Sequence, residues 1–346
     1  MAERGLLDLA ISYIPGLSCR EKITLCEALG DESDLIQKSA SDIEALVGRE
    51  LKAWNVDSSL RAAQKAAEKA RLRGINMVSW RSPLYPPLLR EIYDPPVLLF
   101  FRGRLPDPER PLAAIVGTRK PSPDSAAQAF DIARGLGRGG ISVVSGLAIG
   151  IDSFAHRGNM EGGAPTVAVL GSGVDEVYPS SNRVLALRIL ETGGALLSEY
   201  PPGTGPRKWN FPARNRIISG LSRGVLIVEA PQKSGALITA RFALDQNRDL
   251  WVASSGVSAS GTDAPGMDGA EKRFALHDKR GTSKLADDGA VVIKTASDIL
   301  EAWNIKSPEK APGQAPEQEQ PPAGGRALAA SLAATLGVNI RMEYGS

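Results

Sequence analysis

The sequence predicts an α/β protein: a doubly wound, mainly parallel sheet preceded by a small all-helical N-terminal domain. Three observations lead there. Between 112 and 256, short apolar runs recur, each ending in a turn of small residues and followed by a helical stretch. The runs are unbroken rather than alternating, which is how strands buried on both faces read. The first 73 residues instead show helical spacing and helix caps. At 346 residues the chain has material for about two domains of ~150 residues each.

In the N-terminal part, Leu6, Leu7, Leu9, Ala10 and Ile11 start a helix that breaks at Ile14-Pro15-Gly16-Leu17. Ile23, Leu25 and Leu29 resume the spacing. Ser41-Asp42-Ile43-Glu44 reads as a capped helix start, and the alanine-rich stretch 60–72 as a strong helix. Pro15-Gly16 between helices resembles a helix–hairpin–helix turn, whose backbone amides meet a DNA phosphate; a plain helical interaction domain is the alternative. This domain is expected over 1–75. Prolines 83, 86, 87, 95, 96, 106 and 108 surround the apolar run Val97–Phe101, so 80–111 reads as an extended connection.

The predicted strands and their turns are Leu112–Val116 into Gly117-Thr118-Arg119, Ile141–Val144 into Ser145-Gly146, and Thr166–Leu170 into Gly171-Ser172-Gly173. They continue with Ala195–Leu197 into Ser198-Glu199, Val225–Val228 into Glu229, and Leu250–Ala253 into Ser254-Ser255-Gly256. Ligand is then expected beyond the C-terminal ends of the strands. Residues 306–325 carry five prolines and nothing apolar larger than alanine, as a linker would. Leu328, Leu332 and Leu336 allow one short helix in 326–346.

Composition excludes more than it selects. Lys+Arg 41 against Asp+Glu 39 leaves a net +2, so only a local patch could recruit nucleic acid. Two cysteines and two histidines preclude a disulfide framework or a multi-histidine metal site. No apolar run approaches ~18 residues and no secretion signal opens the chain, so it is expected in the cytoplasm, away from membranes. A Walker-A loop and a nucleophile elbow are missing. The nearest dinucleotide fingerprint, Gly171-Ser172-Gly173, places Glu176 where the third glycine belongs. His156, four residues after Asp152, reads as a local pairing, not a catalyst. No catalytic residue, metal or cofactor is expected.

What remains are turns suited to anions. Gly117-Thr118-Arg119 leads into Ser122-Pro123, a capping serine with proline at the first helical position. A free helix N-terminus there would reinforce Arg119 in holding phosphate. Residues 207–223 (RKWNFPARNRIISGLSR) contain five basic residues and no acidic one, interleaved with Trp209 and Phe211. Cations beside aromatics suit single-stranded nucleic acid; a phosphate-bearing small ligand or a solvated basic loop are the alternatives.

The ordered motifs GTR (117–119), VVSGLAIGIDSFAH (143–156), VAVLGSGVDEVYP (167–179), LLSEYPPGT (196–204), FPARNRIISGLS (211–222) and EAPQKSGALITA (229–240) resemble the DNA-processing protein A (DprA/Smf) family over roughly 80–300. The helical start is similar to that family's sterile-alpha-motif-like domain. The resemblance implies an extended Rossmann domain over 76–305, strongest in 112–255, that forms homodimers. It implies a single-stranded DNA binder, not an enzyme, that protects incoming DNA and loads the RecA recombinase during natural transformation. Arg119 and Lys208 match the family's DNA-contacting cations. Gly117, Thr118, Ser145 and Gly146 match its pocket floor, and Phe211, Arg214, Asn215 and Arg216 match its FPxRNR signature. Ser180 and Ile149 stand where the family commonly carries charged residues. An insertion at about 257–280 reads as a surface loop, and the tail is shorter than the winged helix that ends many members. A competing reading is a nucleotide-hydrolysing enzyme of the lysine-decarboxylase-like (phosphoribohydrolase) type, with Glu229 after its strand. That family's PGGxGTxxE motif is absent.

Overall fold

The computed structural model describes residues 4–51, 54–257 and 278–305. The linker at 306–325, the helix expected within 326–346 and most of the 257–280 insertion lie outside the described residues. Among the described residues five helices come first: α1 (Arg4–Ser12), α2 (Cys19–Ala28), α3 (Glu32–Gln37), α4 (Ala40–Val47) and α5 (Val56–Leu72). The Pro15-Gly16 break separates α1 from α2, with Gly16 at φ +76°. Helix α4 starts two residues before the sequence-based expectation. Ser39 caps it, in a reciprocal box with Asp42.

Nine strands and eight further α-helices follow among the described residues. They are β1 (Asn76–Ser79), α6 (Pro87–Arg90), β2 (Leu98–Gly103), β3 (Leu112–Val116), α7 (Pro123–Arg138), β4 (Ser142–Ser145), α8 (Ile151–Glu161) and β5 (Val167–Val169). Then come α9 (Arg183–Glu191), β6 (Ala195–Ser198), α10 (Asn210–Gly220), β7 (Gly224–Ile227), α11 (Gly235–Asp245), β8 (Asp249–Ala253), α12 (Arg280–Asp287), β9 (Val291–Ile293) and α13 (Ala296–Ala302). They form one sheet in the order β1-β2-β6-β5-β4-β3-β7-β8-β9. Strands β3 to β9 pair parallel, while β1 and β2 pair antiparallel at one edge. The stretch expected as a connection therefore contains a sheet strand: Phe100 lies opposite Ser198 and Arg102 opposite Leu196.

Burial on both faces is visible along β3. Leu112, Ala114 and Val116 join a core with α10 and α11 residues such as Ile217 and Ala240. Ala113 and Ile115 join a second core with α7, α8 and α13, including Ile132, Ala155 and Ile299. The N-terminal helices bury Leu7, Ile11 and Leu25 in a third cluster that also holds Phe100 of β2 and Ile189 of α9. One buried cluster thus runs across the expected boundary at residue 75. Two ion pairs also bridge it, Asp8 with Arg81 and Arg73 with Asp175.

Chain order reverses beside β3. From there β4, β5 and β6 run out on one side, and β7, β8 and β9 on the other. Loops leaving β3 and β7 diverge to opposite faces, and a crevice opens between them at the strands' C-terminal ends.

Candidate nucleic-acid interface

That crevice is a cleft of about 760 Å³. Val116 to Lys120 after β3, Pro231 and Lys233 to Ala236 after β7, and Phe211, Pro212, Arg214 and Asn215 of α10 line it, with Lys208 at its edge. Arg119, Lys208 and Lys233 are exposed. Acidic lining residues are committed elsewhere. Asp152 accepts backbone bonds from Gly146 (3.1 Å) and Ala148 (3.2 Å). Glu229 accepts from the Ser122 amide (3.1 Å) and hydroxyl (2.6 Å). Asp278 pairs with Arg280, whose guanidinium holds its carboxyl down to about 2. The available charge at the rim is positive.

The floor is built by close contact. Thr118 donates its amide to the Glu229 carbonyl (2.7 Å) and its carbonyl accepts from Ile151 (3.2 Å). Gly150, at φ +83°, presses on the Thr118 carbonyl and the Arg119 backbone, so a side chain there would displace the turn. Arg214 lies buried beneath, donating to the carbonyls of Gly146 (2.8 Å) and Val169 and to Asn215 Oδ1 (3.1 Å). Burial lowers its pKa to about 10, against the attraction of Asp152. Burial in turn raises the Asp152 pKa. Asn215 also donates to the Gly235 carbonyl (3.1 Å), tying α10 to the start of α11. Phe211 is half-buried, its ring 5.4 Å from that of Tyr178 and packed over Gly171.

Eight of the ten sequence-derived residues thus gather at or directly under one cleft. Gly117, Thr118, Arg119, Lys208, Phe211, Arg214 and Asn215 line it. Gly146 packs against Arg214 below them. Ser145 is fully buried, its hydroxyl donating to the Ile115 carbonyl (2.7 Å), and does not reach the cleft. Arg216 points away: it donates to Glu199 (2.6 and 2.9 Å) and pairs with Asp94 (3.2 Å). Burial opposes the Arg216 charge, but Glu199 outweighs that and raises its pKa.

The helix end expected to assist Arg119 is occupied from inside, since the Glu229 carboxylate fills the Ser122 cap of α7. The start of α11 also faces the cleft, with Gly235 exposed beside Lys233, and is capped by its own Ser234 hydroxyl, which accepts from the Ala236 amide (3.2 Å). Sequence reasoning gave Lys233 no role; its place directly before the Ser234-Gly235 helix start was the available signal. Asp152 and His156 do not pair. His156 Nδ1 meets the Thr166 hydroxyl (2.8 Å), and burial, reinforced by the Arg214 charge, holds its pKa down at about 3.

A doubly wound, mainly parallel sheet with a ligand-sized, basic-rimmed crevice at its switch point defines an α/β protein of the Rossmann type. The profile of DNA recombination-mediator protein A matches residues 76–304, and the chain belongs to that family. It is 39% identical over 216 residues to the DNA processing protein DprA of Streptococcus pneumoniae, covering 62% of this chain and 70% of that one. It is 49% identical over 173 residues to the Smf protein of Synechocystis, a match spanning 43% of that protein and 49% of this one. The X-ray structure of the S. pneumoniae protein superposes with TM-score 0.66 at 32% identity, over 87% of this chain and 98% of that one. A structure of the Helicobacter pylori protein, described for its single-stranded DNA binding mode, gives 0.53 at 27% identity, over 66% and 95%. Among the described residues no helix is long and apolar enough to cross a membrane.

Proposed function

We propose that the chain binds single-stranded DNA in the cleft between β3 and β7, as a mediator and not as an enzyme. In this reading Arg119 and Lys208 hold backbone phosphates, and Phe211 lies against a base. The observation that carries it is the pairing of exposed rim cations with acids already satisfied by internal donors. Such a cleft attracts phosphate along its edge and accepts an unstacked base beside the aromatic wall. The same observation weighs against nucleotide hydrolysis: Glu229, Asp152 and His156 are bound into the scaffold. Family membership supports the further steps, homodimerisation and delivery of the bound strand to RecA in the cytoplasm during DNA uptake.

A mobility-shift assay with single- and double-stranded oligonucleotides, run beside a base-release assay with AMP, tests the reading. Preferential shift of the single strand and no release are expected. Release of adenine, or equal affinity for duplex, would overturn it. Light scattering at micromolar concentration checks the dimer, and RecA-promoted strand exchange on pre-coated DNA checks the mediator step.

A further inference from the structure

We propose that Trp209 and Arg207 form an exposed stacking platform that takes an unpaired DNA base just outside the cleft. The inference rests on the single-strand reading above and extends the binding site beyond the cleft walls.

Trp209 has no structural task that explains it. It occupies the N-cap position of α10, where Ser, Thr, Asp or Asn would satisfy a free amide, and it makes no capping bond. It is 68% exposed, so it fills no core. Its ring contact is the Arg207 guanidinium, 5.7 Å from the ring centroid. Arg207 is exposed and pairs with no carboxylate among the described residues. Among the described residues the cation and the indole therefore stand exposed beside each other, neither side chain held by an ion pair or hydrogen bond.

A second exposed pair shows what a structural version looks like. Arg20 lies 4.2 Å over Tyr93, but its Nε also donates to the Tyr93 carbonyl (2.7 Å), fastening α2 to the segment after α6. Among the described residues the Arg207 side chain makes no such bond. Position completes the argument. Lys208, between the two, lines the cleft, and Phe211, two residues after Trp209, forms its wall. A strand held at Lys208 leaves the cleft past Trp209. Every base offers a π-face, so an indole with an adjacent guanidinium accepts any of them without reading sequence.

The test titrates the full chain with oligodeoxythymidylates of about 4 to 16 nucleotides, the usual range of single-strand sites, and follows tryptophan fluorescence and affinity. Quenching is expected in the native protein and should disappear in Trp209→Phe, which keeps near-native affinity. Trp209→Ala should bind the longer oligonucleotides about tenfold more weakly, with melting temperature and salt dependence unchanged. Quenching that persists in Trp209→Phe, or native affinity in Trp209→Ala, overturns the platform while leaving the cleft intact. If the folded native chain binds no oligonucleotide, the cleft reading falls and the platform with it.

Discussion

One short segment of the chain puts like charges to opposite uses. Lys208 at the cleft edge and Arg207 just outside it, both before α10, are exposed, while Arg214 and Arg216, within that helix, are buried. Burying a guanidinium costs several kcal/mol unless partners repay it. Arg214 meets carbonyls, Asn215 and the field of Asp152, and Arg216 meets Glu199 and Asp94. A cation so committed shapes the scaffold, and an uncommitted one is free to meet phosphate. Counting basic residues in a sequence run therefore overstates the number of ligand contacts.

Substitutions can break this comparison. Arg214→Ala should have the largest effect, because it strands Asp152 as a buried charge; we expect a stability loss of about 3–5 kcal/mol in denaturant titration. Native stability in that variant would mean that Arg214 is held for the ligand and not for the fold. Arg216→Ala should cost about 1–3 kcal/mol of stability, since Glu199 and Asp94 are partly exposed and can rehydrate. Its affinity for single strands, measured where it remains folded, should be native. A lowered salt dependence there would move Arg216 to the DNA side.

Phe211→Ala sharpens the contrast at the aromatic wall. We expect a loss of about 1–3 kcal/mol in binding, with the salt slope unchanged. A fall in melting temperature without an affinity change would assign the ring to packing against Tyr178 alone. The smallest effect concerns pH. His156 titrates near 6.5 when unfolded but only at about 3 when folded. The unfolded state therefore binds the extra proton, and the stabilisation present above pH ~6.5 is lost as pH falls toward 3. Between pH 7 and about 5.5 the loss should be on the order of 1 kcal/mol. It should be absent in His156→Gln.

Strands β3 to β8 were legible because a short unbroken apolar run between turn residues suits a strand buried on both faces and little else, and the turns after β3 and β7 do line the cleft. Strand β9 (Val291–Ile293) was missed, two of its three residues being exposed. Strand β2 was not legible, because the prolines at 95, 96 and 106 that signal a connection fall just outside its ends, where they break none of its pairing. Both Ser39-x-x-Asp42 and Ser41-x-x-Glu44 fit a capping box, and sequence spacing alone does not choose between them. At the site, helical phase held the missing information. Phe211, Arg214 and Asn215 at i, i+3 and i+4 share the cleft side, while Arg216 falls well around the helix from Phe211. That phase is readable only once the cleft's side is known. The internal cap of α7 by Glu229 joins residues 107 apart in sequence, beyond the reach of local pattern.

The central claim is that exposed rim cations, and not the buried guanidiniums, carry the phosphate contacts. The most direct measurement is the dependence of log K on log salt for single-stranded DNA in Arg119→Ala, Lys208→Ala and the native chain. The account predicts unchanged melting and a slope flattened by about 0.7 in each variant, the single-strand value per phosphate neutralised. Native affinity and native slope in both variants would contradict it.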